Sequence, residues 1–109
     1  MRRRSPSRAS RLLGMSKAMI ERRLIEVGEC LKQLRRDLQV ADEQLAHFAN
    51  EADDARLRSL VSETQIAGRE HRDADRHAAA MRRHRDEVAT EITSLEAQQD
   101  ELLDQLMAS

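Results

Sequence analysis

Apolar residues recur through this 109-residue chain at alternating steps of four and three, which is the heptad spacing of a coiled coil. The members of the first series, here called the first seam, are Ile20, Leu24, Val27, Leu31, Leu34, Leu38, Ala41, Leu45, Phe48, Ala52 and Ala55. The members of the second seam are Ala67, His71, Ala74, Ala78, Met81, Arg85, Val88, Ile92, Leu95, Gln99, Leu102 and Leu106. Each seam forms one stripe along a helix, so the sequence predicts two long amphipathic helices.

The heptad frames of the two seams are offset, so one straight helix cannot present both to the same partner. The first frame places an a position at Ser59, whereas the second places one at Leu57. A turn between the seams lets them face each other as an antiparallel hairpin, in which facing residues have a constant sum of sequence numbers. A sum of 126 pairs Ile20 with Leu106, Leu24 with Leu102, Leu31 with Leu95, Leu34 with Ile92, Leu38 with Val88, Leu45 with Met81 and Phe48 with Ala78. This register predicts a tip at about residues 58–69, where Ser, Thr and Gly residues loosen the helical pattern.

A turn at residues 50–55 is the alternative. It would leave four large aliphatic residues of the second seam without an internal partner, namely Val88, Ile92, Leu95 and Leu102. Since a fully buried side chain of this size contributes roughly 1.5–3 kcal/mol, a monomer favours the turn at 58–69, whereas a dimer would accommodate either position.

The amino-acid composition supports an all-α protein. The chain has one Phe, no Trp or Tyr, one Pro, three Gly and 36% charged residues, which is typical of coiled coils rather than of rounded cores. We therefore expect a long antiparallel two-helix coiled-coil hairpin over residues 16–107, with Ser16 as its N-cap. Dimerisation into a four-helix bundle is a further expectation, because two helices leave wide surfaces uncovered.

Positive charge is concentrated at the start of the chain. Residues 1–14 contain five arginines and no acidic residue, and the formal net charge of −1 leaves about −6 for residues 15–109. These arginines are Arg2, Arg3, Arg4, Arg8 and Arg11. We expect a disordered basic tail over residues 1–15, and two alternatives stay open: an organelle-targeting segment, or a misassigned start with Met15 as the first residue. The tail is a candidate for phosphate contact, whereas the acidic body should not bind nucleic acid.

The sequence contains no recognisable catalytic, cofactor or metal motif. His71, His77 and His84 are six and seven residues apart, so neighbouring members cannot share an ion on one helix face. Cys30 falls at a flanking g position, where we expect a half-buried structural residue. We predict a non-enzymatic protein without cofactor or metal. The lone cysteine and the lack of an apolar run of about 20 residues favour a cytoplasmic protein that does not enter a membrane.

Two acidic residues beside the first seam have predicted partners on the second helix in this register. Asp42 should meet Arg82, and Glu51 should meet His77. Arg85, opposite Ala41, should extend past this small neighbour to water.

The apolar residues of the tip are the main candidate for partner binding. Leu60, Val61 and Ile66, with Glu63 among them, lie where a hairpin has no second helix to cover them. The alternative is that these side chains fold onto each other as a compact cap. A protein partner is therefore expected, and a homodimer is a further candidate.

Three short stretches resemble the coiled-coil finger of the Gre-type transcript cleavage factors: Glu70-His71-Arg72-Asp73, His77-Ala78-Ala79 and Ser94-Leu95-Glu96-Ala97. The resemblance implies a hairpin that enters the secondary channel of bacterial RNA polymerase. The tip has only Glu63 in place of the acidic cluster of that family, so the resemblance does not imply transcript-cleavage activity for this chain. The chain also resembles small coiled-coil proteins of high-GC bacteria, which implies no defined activity.

The sequence thus predicts an interaction or adaptor protein that docks on a larger complex through its tip. A transcription regulator that binds the polymerase channel is one alternative. A nucleic-acid accessory protein that uses the basic arm is the other.

Overall fold

The structure is a computed structural model, and it describes residues 15–108 of the chain. Within these residues it contains two helices and no strand: α1 (Lys17–Ser62) and α2 (Gln65–Ala108). The prediction of an all-α helical hairpin is confirmed. The predicted basic tail and its five arginines, Arg2, Arg3, Arg4, Arg8 and Arg11, lie outside the described residues, and dimerisation stays a prediction.

The first helix begins at the predicted N-cap. The Met19 N–H donates to Ser16 Oγ at 3.3 Å, and the Ile20 N–H donates to the Ser16 carbonyl at 3.0 Å. A serine side chain in this position satisfies one of the N–H groups that the first turn of a helix leaves without an intrahelical acceptor. The assignment of Ser16 as the N-cap is therefore confirmed.

Both seams are on the inner faces of the helices. Every residue of the first seam and every residue of the second is buried or half-buried in the structure. The most deeply buried large side chains are Val27, Leu31 and Leu102. No polar or charged residue in the described part of the chain is fully buried. Packing of the heptad positions is thus the main source of stability, as the hydrophobic pattern predicted.

The chain divides into two compact units. Among the described residues, unit 1 consists of residues 15–34 together with residues 91–108, and unit 2 is Arg35–Thr90. The buried apolar residues of unit 1 are large: Ile20, Val27, Leu31, Ile92 and Leu102. Those of unit 2 are mostly alanines: Ala41, Ala52, Ala55, Ala67, Ala78 and Val88. Because apolar stabilisation scales with the area buried, each buried position contributes less in unit 2 than in unit 1.

Two contacts between the helices report the register of unit 2. Arg85 Nε donates to Asp42 Oδ1 at 2.9 Å, and the Phe48 and His77 rings meet edge to face with centroids 6.0 Å apart. The residue numbers of these pairs sum to 127 and 125, on either side of the predicted 126.

The partner predicted for Asp42 was wrong, because Asp42 pairs with Arg85 rather than with Arg82. Arg85 starts from a seam position, extends past its small neighbour to the solvent as expected, and bonds to this carboxylate at the exposed edge of the seam. Arg85 Nη1 also donates to Asp86 at 3.0 Å. The hydrogen bond to Asp42, followed by the one to Asp86, raises the pKa of the Arg85 guanidinium above its ordinary value.

The turn between the helices is two residues long. α1 ends at Ser62 and α2 begins at Gln65, so the break lies inside the predicted range 58–69. The helices continue up to the break on both sides, and Ser59 and Gly68 are helical although we expected them to loosen the pattern. Residues 50–55, the alternative position of the turn, lie within α1.

Both helix ends at the turn are capped. Glu63 adopts a left-handed backbone conformation with φ of 49°, and its N–H donates to the Ser59 carbonyl at 3.1 Å, which closes the C-terminus of α1. Thr64 Oγ1 accepts from the Ala67 N–H at 3.1 Å and caps the N-terminus of α2. A turn this short contains no loop that could fold over its neighbours, so side chains beside it are left open to solvent.

Candidate protein-docking site

Four large aliphatic side chains beside the turn are exposed, and we call them the tip cluster: Leu57, Leu60, Val61 and Ile66. Their exposed fractions are 59%, 62%, 86% and 69%, respectively. These values argue against a compact cap, the alternative interpretation of the sequence, because residues that covered one another would be mostly buried. The structure thus leaves open to solvent all three apolar residues that the sequence named, Leu60, Val61 and Ile66.

The tip cluster faces away from the seam because of its heptad positions. Leu57, Leu60 and Val61 have i, i+3 and i+4 spacing and form one stripe on α1. In the first heptad frame they occupy f, b and c, which are the outer positions of a coiled coil.

The sequence analysis did not identify Leu57 as exposed, because the second heptad frame, which does not apply to α1, places it on the seam. The first heptad frame predicts its exposure. Extended past Ala55, that frame puts Ser59 at position a and Leu57 on the outer face. The structure agrees, since Ser59 is half-buried and Leu57 is exposed.

Glu63 lies in the turn itself, and its side chain is exposed. It is the carboxylate that the sequence assigned to the tip. The acidic stretch of residues 51–54 belongs to α1, and eight residues separate it from the turn. The turn therefore presents one carboxylate beside an apolar stripe, rather than a cluster of acids.

The histidines are distributed among separate partners. His47 Nε2 lies 3.5 Å from Glu51 Oε1, and His71 Nε2 lies 3.5 Å from Asp75 Oδ2. Within residues 15–108, no group of three or more His, Cys, Asp and Glu side chains is arranged to hold a metal ion.

Glu51 and His77, which we expected to meet, line one surface groove in unit 2, but no hydrogen bond or ion pair joins them among the described residues. This groove has a volume of about 260 Å³. It is lined by Phe48, Glu51, Ala55, Arg58, Glu70, Asp73, Ala74 and His77. The Glu51 carboxylate lies instead beside the imidazole of His47 on its own helix.

Cys30 is exposed, so the expectation of a half-buried residue was wrong. Two helices cover only the a and d positions fully, and the flanking g position of Cys30 stays open to solvent. The thiol lines a groove of about 440 Å³ in unit 1. The other residues of this groove are Gln33, Leu34, Glu91, Ser94 and Leu95.

The fold and its exposed side chains define a helical hairpin with an apolar cluster on the outer surface beside its turn. Neither helix of the described part is long and apolar enough to cross a membrane. No protein-family model, curated protein or solved structure matches this chain.

Proposed function

We propose that this chain is a non-enzymatic interaction protein that docks on a larger protein complex through its tip cluster. The observation that carries the proposal is the exposure of four large aliphatic side chains next to a capped two-residue turn. Isolated exposed leucines are common on protein surfaces, whereas a contiguous apolar group often marks a site of interaction. We place the protein in the reducing cytoplasm, since its only cysteine is an exposed thiol.

The arrangement of the cluster fits recognition by a recess in a partner. Leu57, Leu60 and Val61 supply anchors at i, i+3 and i+4, which is how a helix presents its apolar face to a groove. The caps at Glu63 and Thr64 hold the ends of both helices, so little backbone ordering is required on binding.

The exposed area of the tip cluster determines how much free energy its burial can contribute to binding. A patch of this kind exposes on the order of several hundred Å². At roughly 25 cal/mol per Å², its burial would offset a large part of the ~4–15 kcal/mol cost of association. The tip cluster would therefore act as a hot spot that needs additional contacts around it.

Replacing Leu60 or Ile66 with Asp tests the proposal. Each variant of the full chain is used as bait in an extract of the native host, and circular dichroism measures its helicity. We expect helicity to match the parent chain, because both side chains are exposed, and we expect the captured partner to be lost, because a carboxylate would enter the apolar recess without a counterion.

Ile25→Asp is the matched control for Ile66→Asp. Ile25 is 68% exposed, against 69% for Ile66, and it lies in unit 1. The control should retain the partner. Capture of the same proteins by the Leu60 and Ile66 variants as by the parent chain would contradict the proposal, as would equal loss in the control.

A further inference from the structure

We propose that residues 2–14, called the basic arm, dock on the outer face of the last turns of α2 in the same molecule. This inference goes beyond the proposed function, because it concerns unit 1 and not the tip cluster. The arm lies outside the described residues, and the surface that would receive it belongs to the described part of α2.

Two exposed apolar side chains share one face of the last turns of α2 with two exposed carboxylates. Leu103 is 41% exposed and Met107 is 85% exposed. Because each residue of an α-helix advances by about 100°, four residues fall within an arc of about 100° around α2: Asp100, Leu103, Asp104 and Met107. We call these four residues the end face. They occupy b, e and f positions of the second frame, which lie outside the seam.

The charge of this part of α2 is negative throughout. Residues 86–109 contain seven carboxylates and no basic residue. The charge stays negative when α1 is included, since the described residues of unit 1 contain eight acidic and four basic residues, for a formal charge of −4. The helix that packs against α2 therefore offsets the charge only in part.

Three of the four basic residues of α1 in unit 1 lie away from the end face. The Gln98 side-chain carbonyl lies 3.0 Å from Nη2 and Nε of Arg23, on the opposite side of α2 from its e and b positions. Lys32 lies 3.9 Å from a carboxylate of its own helix, and Arg22 occupies the outer position f. The fourth, Lys17, begins α1. The carboxylates of the end face have no ion pair among the residues that the structure describes.

The basic arm has the complementary composition. Residues 1–14 contain five arginines and no acidic residue, and Leu12 and Leu13 come just before the described chain. An arm that ran back along α2 from Met15 would bring these leucines first to the apolar side chains of the end face. The arginines, which lie farther from Met15, would meet the carboxylates that continue along α2 as far as Asp86.

The connection to α1 places the arm beside the end face. Arg23 lies against Gln98, and residues 30–34 share a groove with residues 91–95, so the helices of unit 1 are antiparallel and the start of α1 lies beside the end of α2. Asp100 is eight residues, or about 12 Å, from the end of α2 at Ala108. The 13 residues of the arm span up to about 45 Å when extended, which is more than enough.

The arm of the same chain is favoured over the other candidates for this surface. Nucleic acids and anionic lipids carry charge of the same sign as the end face, so they are repelled from it. A ligand on a short flexible tether has an effective concentration in the ~mM range, so at micromolar protein the attached arm outcompetes the arm of a second copy.

Trypsin cleavage of the full chain after Arg8 and Arg11 tests the proposal. The parent chain is compared with Asp100→Asn/Asp104→Asn and with the control Asp53→Asn/Asp54→Asn, which removes two exposed carboxylates of α1 in unit 2. Mass spectrometry gives the initial rates, and the free peptide of residues 1–14 gives the rate for an arm that is not held.

We expect the parent to be cleaved about tenfold more slowly than the free peptide at ~1 µM protein and ~0.05 M salt, because a docked arm is closed to the protease. The end-face variant should be cleaved about fivefold faster than the parent, and the control within about twofold of it. At ~0.5 M salt the parent and the end-face variant should agree within about twofold, because salt screens exposed charges.

Equal rates for the parent chain and the free peptide would overturn the proposal. An equal increase in the control would also overturn it, because the attraction would then come from the overall charge of the chain and not from the end face. Protection that grows between ~1 and ~100 µM protein would assign the end face to the arm of a second copy and overturn docking within one molecule.

Discussion

Replacement of Leu31 with Ala should lower the free energy of unfolding by about 2–5 kcal/mol, the usual range for a buried leucine that is truncated to Ala. Leu31 is 1% exposed and belongs to unit 1, where the buried positions are large aliphatic residues. Truncation removes apolar contacts and leaves a cavity that two long helices can close only in part. Urea unfolding of the full chain, followed by circular dichroism, measures the loss.

The control for this prediction is Ile25→Ala. Ile25 is also a large aliphatic residue of α1, but 68% of it is exposed, so its truncation should change the free energy of unfolding by less than about 0.5 kcal/mol. Similar losses in the two variants would show that the first seam is not the packed face of α1. The assignment of the heptad positions to the helix interface would then be wrong.

Asp53→Pro should destabilise the protein by about 3 kcal/mol or more, because α1 runs without a break through this residue. Proline removes the backbone N–H donor and its ring clashes with the carbonyl of Ala49, one helical turn earlier. Asp53 is exposed, so the substitution removes no packing contact. Thermal unfolding of the full chain measures the effect.

Asp53→Ala is the matched control, since it removes the same carboxylate and keeps the N–H group. It should leave stability nearly unchanged or slightly raised, because alanine is a better helix former than aspartate. A proline variant as stable as the alanine variant would indicate a turn at residues 50–55, since turns accommodate proline.

The seams were predictable because burial in a two-helix protein follows heptad spacing, and every residue assigned to them is buried or half-buried. The turn could be located by matching layers, since the large residues from Val88 to Leu102 need partners. Its form could not be predicted from residue types. Gly68 suggested a break in the helix, but the left-handed position is taken by Glu63, a residue with a β-carbon, and Thr64 caps the next helix.

The exposure of the tip cluster was predictable in outline for the same reason. A residue off the seam and beside a turn has no second helix to cover it, which identified Leu60, Val61 and Ile66. Leu57 required knowledge of which heptad frame continues to the end of α1. The partner of Asp42 could not be predicted either. The heptad position of Arg85 indicates where its side chain leaves the helix, but not where the guanidinium at the end of that long side chain lies.

The alanine-rich interior of unit 2 bears on the proposed function. Most of its fully buried positions contribute only a methyl group, while large aliphatic residues of the same unit are placed on the outside beside the turn. Such a distribution is unfavourable for the stability of an isolated chain, and burial of the tip cluster in a partner would compensate for it.

A distance between spin labels at positions 42 and 85, in a Cys30→Ser background, tests most directly whether the chain closes as a hairpin at Glu63 and Thr64. The labelled chain is diluted into an excess of unlabelled chain, so that the distance reported lies within one molecule. The account predicts less than about 20 Å, since helices in contact have axes about 8–10 Å apart. With a turn at residues 50–55, position 42 would face position 63, and 22 residues of helix would place position 85 about 33 Å away. A distance near that longer value would contradict the hairpin and the tip cluster with it.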